Sequence, residues 1–356
     1  MKLLFILENY LPNVGGVETL FKNLTQSLVE QGNDVTILTH QLRGTKKFES
    51  INSVKVYRIS CFYSRYWFTF FSIPMAIRLG RNADIIHTTT YNASLPALIS
   101  ARINKKRSII TVHEILGKNW ESFGINIISA KIHEFLEYLI TKFRFDIFVG
   151  VSESTKKQLI KAGVSENKVR VVYNGVDYSY FEPKKYNKKE IRERLSMPKD
   201  FVYTFYGRPG ISKGLEYLLR VVPFIDKEIP NSKLVLILSK SPKNIYENTK
   251  QLIKELRIED KIILLEPVSY KKLPEYIFAS DCVVVPSLTE GFGYAVTESC
   301  ALGIPVVATN TTSIPEVISG KYVLVEPRNP KAIAEGVIKV YNKNYNVTRL
   351  KRFTIA

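Results

Sequence analysis

Cysteine is scarce in this chain: Cys61, Cys282 and Cys300 are the whole complement in 356 residues. Three scattered thiols make neither a disulfide framework nor a set of metal ligands, and they point to a reducing compartment. Asp-x-Asp does not occur anywhere, so no obvious carboxylate pair recruits a divalent ion, and neither a metal nor another cofactor is expected. No run reaches the ~18 uncharged apolar residues that span a bilayer. The richest stretch, 67–77, is bounded by Arg65 and Arg78 and broken by Pro74. The apolar start at residues 1–7 meets Glu8 and Asn9 too early for a secretory signal and reads as a first strand. Solenoid-period repeats and low-complexity tracts are missing as well. Acids are the last shortage: 33 Asp and Glu against 51 Lys and Arg leave a net charge of +18. Such a balance favours an anionic partner, whether nucleotide, membrane surface or nucleic acid.

The length accommodates two domains, and 45% apolar composition gives each a core. Apolar strand-like runs alternate with helical patterns at 3–7, 35–39, 54–59, 84–87, 108–112, 146–151 and 169–172, then again at 201–206, 233–238, 261–265, 281–285, 304–308 and 322–325. That alternation predicts α/β domains, each a doubly wound parallel sheet. The expected divisions are a first domain over 1–173, a charged linker over 174–199, a second domain over 200–340 and a short tail over 341–356 that crosses back to the first domain.

The stretch 286–310 carries the densest chemistry: PSLTEGFGYAVTESCALGIPVVATN. Glu290 sits in the loop where a strand ends, and Glu298 follows eight residues later in a helix that starts near Tyr294. Gly291, Phe292 and Gly293 lead into that helix, whose free N–H groups and positive dipole end make a seat for an anion. Carboxylates suit sugar hydroxyls rather than phosphates, so the combination fits a phosphate ester bearing polyols. On these residues alone, a helix-capping Glu290 and a solvated Glu298 remain an alternative. Earlier, Gly207-Arg-Pro-Gly-Ile-Ser-Lys-Gly214 places Arg208 and Lys213 just after a strand and before a helix, where both can neutralise a diphosphate. Near the start, Gly15 and Gly16 open the first helix at the carboxyl end of the first strand, the phosphate position of a doubly wound sheet. They do not form Gly-x-Gly-x-x-Gly, which argues against a nicotinamide or flavin enzyme.

Glu-Gly-Phe-Gly-(x4)-Glu-(x3)-Leu-Gly-x-Pro-Val-Val-Ala, with Gly-Arg-(x4)-Lys-Gly and Asn174-Gly-Val-Asp177, resembles the signature of retaining glycosyltransferases of family 4. The resemblance spans the chain, most closely over 207–320, and implies the GT-B architecture of two Rossmann-like domains facing a cleft. It implies a nucleotide-diphosphate-sugar donor and no metal. Arg208 and Lys213 would meet the diphosphate, helped by Gly15, Gly16 and the Gly291–Phe292–Gly293 turn. Glu298 would accept from ribose hydroxyls and Glu290 from the transferred sugar. A cleft histidine follows the strand matching 108–112, which favours His113 over His87. The chain departs from the family at Ser239-Lys-Ser-Pro242, where a glycine-rich turn after an acidic residue is usual. It also stops soon after Arg352-Phe353, which leaves little for the C-terminal helix that packs back on the first domain.

Residues 42–81 hold eight Lys and Arg, Arg58 among them, against one acid, Glu49. Interleaved are Phe62, Tyr63, Tyr66, Trp67, Phe68, Phe70 and Phe71. With Arg65, Arg78, Arg81 and the Lys105-Lys106-Arg107 cluster, these rings suit a membrane interface. Their alternative is the core face of one helix. The expectation is therefore a cytoplasmic enzyme, peripheral at the inner membrane face, that glycosylates a lipid-linked or glycan acceptor. A nucleotide-sugar epimerase and, more distantly, a nucleic-acid-binding protein are the rivals; no nucleic-acid module is recognisable, and none is expected as a partner.

Overall fold

The computed structural model describes residues 1–13, 15–62, 65–123 and 126–354. Val14, Tyr63 and the last two residues of the tail lie outside them, as does the side chain of Arg65. The chain forms two compact units, Met1–Gly175 and Val176–Thr354.

Unit 1 runs β1 (Lys2–Leu7), α1 (Gly16–Glu30), β2 (Asp34–His40), β3 (Phe48–Ile51), β4 (Val54–Ile59), α2 (Arg65–Phe71), α3 (Ile73–Gly80), β5 (Ile85–Thr89), α4 (Ser94–Ile103), β6 (Arg107–Val112), α5 (Ile127–Lys142), β7 (Ile147–Gly150), α6 (Glu153–Lys161) and β8 (Val169–Val171). Its sheet has the order β3-β4-β2-β1-β5-β6-β7-β8, parallel except at the β3 edge. Strands come where the apolar runs predict them because strands buried on both faces read as continuous Val, Ile and Leu. Strand β3 was not expected. It pairs with β4 around Asn52 and Ser53, whose φ values of 49° and 65° make a two-residue hairpin turn without the glycine that usually marks one.

Unit 2 continues with α7 (Lys188–Arg194), β9 (Val202–Gly207), α8 (Leu215–Glu228), β10 (Lys233–Leu238), α9 (Lys243–Glu255), β11 (Ile262–Leu265), α10 (Leu273–Ala279), β12 (Cys282–Val285), α11 (Tyr294–Ala301), β13 (Val306–Thr309), α12 (Ile314–Val317), β14 (Lys321–Val325), α13 (Pro330–Tyr341) and β15 (Asn346–Val347). The sheet order is β11-β10-β9-β12-β13-β14-β15, with β15 antiparallel at the edge. Strand order reverses between β9 and β12, so the loops after these two strands share the crevice where doubly wound sheets bind ligands.

One expected boundary reads differently. The charged stretch 174–199 contains α7, which belongs to unit 2 and is fastened there: Lys188 and Arg192 meet Asp281 at 2.7 and 2.6 Å. Charge made the segment look like a linker, although its ion pairs are partly buried. The tail over 341–354 lies in unit 2, and the end of the tail that was expected to cross back falls outside the described residues. Phe353 donates its N–H to Tyr178 Oη (2.8 Å), accepts from Val176 N–H (2.8 Å) and stacks edge-on against Phe292.

Packing of α13 on its sheet leaves no room at Gly336, where a Cβ would lie 2.8 Å from Val307 Cγ1 and 2.9 Å from Val325 Cγ1. Gly336→Val is expected to destabilise unit 2 by ~1–3 kcal/mol through overpacking. A urea midpoint unchanged from the parent's would show that the helix can shift to make space.

Candidate active site

The centre of unit 2 is built by two loops pressed together. After β9 the chain makes a single turn at Ile211–Lys213 and ends it on Gly214, with φ of 63°. A Cβ on Gly214 would sit 2.0 Å from the Pro286 carbonyl oxygen, so only glycine allows this approach. Leu288 N–H donates to the Ser212 carbonyl (2.7 Å) and locks the second loop to the first. Lys213 Nζ thereby stands 2.6 Å from Glu290 Oε1. Ser287 Oγ donates to the same oxygen (2.8 Å), Glu290 N–H donates to Thr312 Oγ1 (2.8 Å), and Ser313 Oγ donates to the Glu290 carbonyl (2.9 Å). Glu290 is fixed from four directions, with only 11% of its side chain exposed. It does not cap α11: that position is taken by Gly293, at φ 91°, with no side-chain cap. The amino end of α11 thus keeps its anion-binding character beside a Lys–Glu pair.

Glu298 is not solvated either. It is 4% exposed, and the one hydroxyl proton of Tyr206 is shared between its Oε2 and the Ala295 carbonyl, each 3.0 Å from Tyr206 Oη. Burial lifts its carboxyl to about 8, and the Tyr206 hydrogen bond opposes the lift. Burial, followed by the charge of Glu298, holds the phenols of Tyr270 and Tyr294 well above their ordinary range. Phe292 puts its ring in the core, 3% exposed and edge-on to Tyr294, so only its backbone is available to a ligand. Arg208 is exposed on the same loop as Lys213.

In unit 1, Gly15 is the extended N-cap of α1 and Gly16 its first residue, at the carboxyl end of β1. His113 follows β6 and lies edge-on to Phe21 of α1 at 6.5 Å. Its Nε2 has no hydrogen-bond partner among the described residues, and burial lowers it to about 4, so the ring is neutral near pH 7. His87 is spoken for: it packs on Phe5 and Phe21 and shares a hydrogen bond with Thr111 Oγ1 (2.8 Å). Four further groups were not singled out from sequence. Tyr206 holds Glu298, and Ser287 and Thr312 hold Glu290. Glu8, buried at the end of β1, accepts from Asn92 Nδ2 at 2.8 Å. Each lies at or just beyond the carboxyl end of a strand, which is the one signal that could have found them.

The expected membrane surface divides. Tyr66, Trp67, Phe70 and Phe71 of α2 are exposed, with Phe62 beside them, whereas Phe68 is wholly buried and belongs to the core. Arg58 does not face solvent: its side chain is 1% exposed, paired with Glu49 and hydrogen-bonded to the Leu11 carbonyl. Arg78, Arg81 and Lys105, Lys106 and Arg107 lie at the amino ends of the strands. Arg107 opens β6, and Arg78 lines a cavity of about 340 Å³ with Lys2, Asp34 and Lys55. Helix α2 follows the carboxyl end of β4, so the chain must cross the sheet through α3 to reach them. Nearness in sequence made one surface of what the topology separates into two.

The buried carboxyl yields a test. Because the folded value of Glu298 lies above the unfolded one, the stability it contributes is fully present below the unfolded value near 4.5 and is lost as pH rises towards about 8. Glu298→Gln keeps the acceptor for Tyr206 and cannot ionise. Its stability relative to the parent should rise across that window, by at most ~1.4 kcal/mol per pH unit. Urea midpoints followed over pH check this; parallel curves would mean an ionised, hydrated carboxylate.

Residues 14–180 match the model of the Glycosyltransferase Family 4 domain, and residues 187–354 that of Glycosyl transferases group 1. An uncharacterized glycosyltransferase of Methanocaldococcus jannaschii is 29% identical across 99% of this chain and 93% of its own. The phosphatidylinositol N-acetylglucosaminyltransferase gpi3 subunit of Schizosaccharomyces pombe is 25% identical across 87% of this chain and 66% of its own. Among solved structures, HepE of Anabaena in complex with UDP-glucose superposes with a TM-score of 0.77 at 17% identity, over 100% of this chain and 96% of that one. Sucrose-phosphate synthase of Thermosynechococcus elongatus gives 0.78 at 18%, over 97% and 90%. Each half of the chain carries its own half of one signature, and with two parallel-sheet domains of the GT-B kind this chain belongs to the family 4 glycosyltransferases.

Proposed function

We propose that the enzyme moves a sugar from a nucleotide-diphosphate donor to a hydroxyl of a lipid-linked or glycan acceptor, with retention at the anomeric carbon and without a metal. The observation that carries the reading is the 2.6 Å pair of Lys213 and Glu290 beside the amino end of α11. A cation and a hydroxyl acceptor fixed next to an anion seat match a sugar attached to a phosphate. That HepE was solved with UDP-glucose supports a nucleotide-sugar donor. The name of the fission-yeast relative, a phosphatidylinositol N-acetylglucosaminyltransferase subunit, supports a lipid acceptor.

The barrier is cleavage of the anomeric C–O bond, and the charge that develops rests on the leaving phosphate. Arg208, Lys213 and the N–H groups of α11 stabilise that charge, the largest single contribution to rate in such a step. Glu290 holds hydroxyls of the departing sugar, and Glu298, displacing the hold of Tyr206, takes those of the ribose. Gly15 and Gly16 are assigned to the diphosphate and His113, neutral near pH 7, to the transferred sugar. The acceptor hydroxyl attacks the face the phosphate leaves, and the phosphate takes its proton. The enzyme works at the cytoplasmic face of a membrane, held there by the rings of α2; no helix of the described residues is long and apolar enough to cross one.

Lys213→Ala and Arg208→Ala should each lower kcat on the order of 100-fold, with a smaller loss of donor affinity, since the charge they meet grows as the bond breaks. Near-normal turnover in either variant removes it from the diphosphate. Glu290→Gln should lose transfer while keeping its thermal midpoint. Product NMR should show the donor's anomeric configuration retained, and activity should survive EDTA; inversion, or full loss with chelator, overturns the proposed chemistry.

A further inference from the structure

Helix α5 is turned the wrong way round for a helix of a water-soluble domain. Its inward face buries Ala130, Glu137, Ile140 and Thr141, while Ile127, Ile128, Ile132, Phe135, Leu136 and Tyr138 face outward, all but Leu136 at least half exposed. Positions 128, 132 and 135 follow the i, i+4, i+7 spacing that would ordinarily pack on a sheet. Glu137 explains why they do not. Its carboxylate accepts from Leu116 N–H (3.1 Å), Gly117 N–H (2.7 Å) and Tyr91 Oη (3.0 Å), tying the helix to the loop that follows His113. Turning the apolar row inward would break all three bonds and strand the loop's amides.

We infer that the outward face of α5 is a second lipid-docking surface, its apolar row entering an anionic bilayer and Lys131 and Lys142 meeting the headgroups. The inference rests on the membrane reading proposed above and extends it to residues outside α2. Three observations select a bilayer as the occupant. Lys131 and Lys142 flank the row, and the acid beside it, Glu134, is already paired with Lys131 at 3.0 Å. Long basic side chains beside an apolar stripe are the pattern of a helix lying in an interface. Secondly, the exposed rings of α2 are linked to the same framework: Thr69 of α2 bonds Asn92 (3.4 Å), and its neighbour Tyr91 bonds Glu137 of α5. Both helices begin beyond the carboxyl ends of strands, β4 and β6. Thirdly, the two apolar patches differ in composition, aliphatic on α5 and rich in Trp, Tyr and Phe on α2. A fluid surface accommodates both without shape complementarity, with the aromatic one at headgroup depth.

The test uses the full chain and sedimentation with vesicles of phosphatidylcholine, alone or mixed with phosphatidylglycerol. Ile132→Glu with Phe135→Glu should weaken binding to the anionic vesicles by ~10-fold or more, since both substitutions place charge in the apolar layer. Because these positions are exposed, the thermal midpoint should not fall. Ile132→Cys carrying an environment-sensitive fluorophore should be quenched by brominated lipid; the three native thiols are buried and leave the label selective. If Trp67→Ala releases the protein while the α5 double variant binds as the parent does, the α5 inference fails and the membrane reading stands. If the parent itself ignores vesicles of both kinds, both fail. If the parent is a dimer by light scattering, and the double variant is a monomer with unchanged vesicle binding, the face joins two copies and the inference is overturned.

Discussion

Everything at the centre of unit 2 depends on one close approach. Gly214 brings its backbone against the Pro286 carbonyl, where no other residue fits, and the Ser212–Leu288 hydrogen bond closes the contact. The loops after β9 and β12 become one body. A lysine from the first is then within hydrogen-bond distance of a carboxylate from the second, although 77 residues separate them. Neither charge is left to find its geometry when a ligand arrives, which is the condition under which electrostatics is worth most. The side chains that hold Glu290, Ser287 and Thr312 among them, are short and hydroxylic. Ser287 satisfies the carboxylate and Thr312 the backbone N–H without adding charge that would compete with an anionic ligand.

Much of this was legible in the sequence, and the reason is physical. Strands buried on both faces must be apolar throughout, so their positions could be read to within a residue or two, as at β10 and β12. The Glu290–Glu298 string was legible because glycine spacing, helix start and acid spacing coincide in one short segment. Burial of Glu298 was not, since a glutamate in a short helix reads as solvated until its partner Tyr206, 92 residues earlier, is known. The edge strand β3 was hidden by a turn without glycine, and α7 by a charge density that suits a linker. Ion pairs to Asp281 exist only in three dimensions.

The same limit explains the split of the basic and aromatic surface. Linear proximity of Trp67, Arg78 and Arg81 suggested one patch, but a crossover between parallel strands runs from the carboxyl end of one to the amino end of the next. At α5 hydrophobic pattern and packing point in opposite directions. Its periodicity is that of a core helix, yet three hydrogen bonds to one carboxylate outweigh the preference of its isoleucines for the interior. Pattern reports what a helix would bury if nothing else acted on it; Glu137 is what else acts.

Unit 2 begins and ends at a single point, where the N–H of Val176 reaches the carbonyl of Phe353. A domain closed on itself in this way does not need its present order of elements to fold. Its termini could be joined and new ones opened in an exposed loop with little change to the core. Such a domain travels as a cassette: fused, duplicated or exchanged at that seam, it would carry the loops of Lys213 and Glu290 intact into another chain.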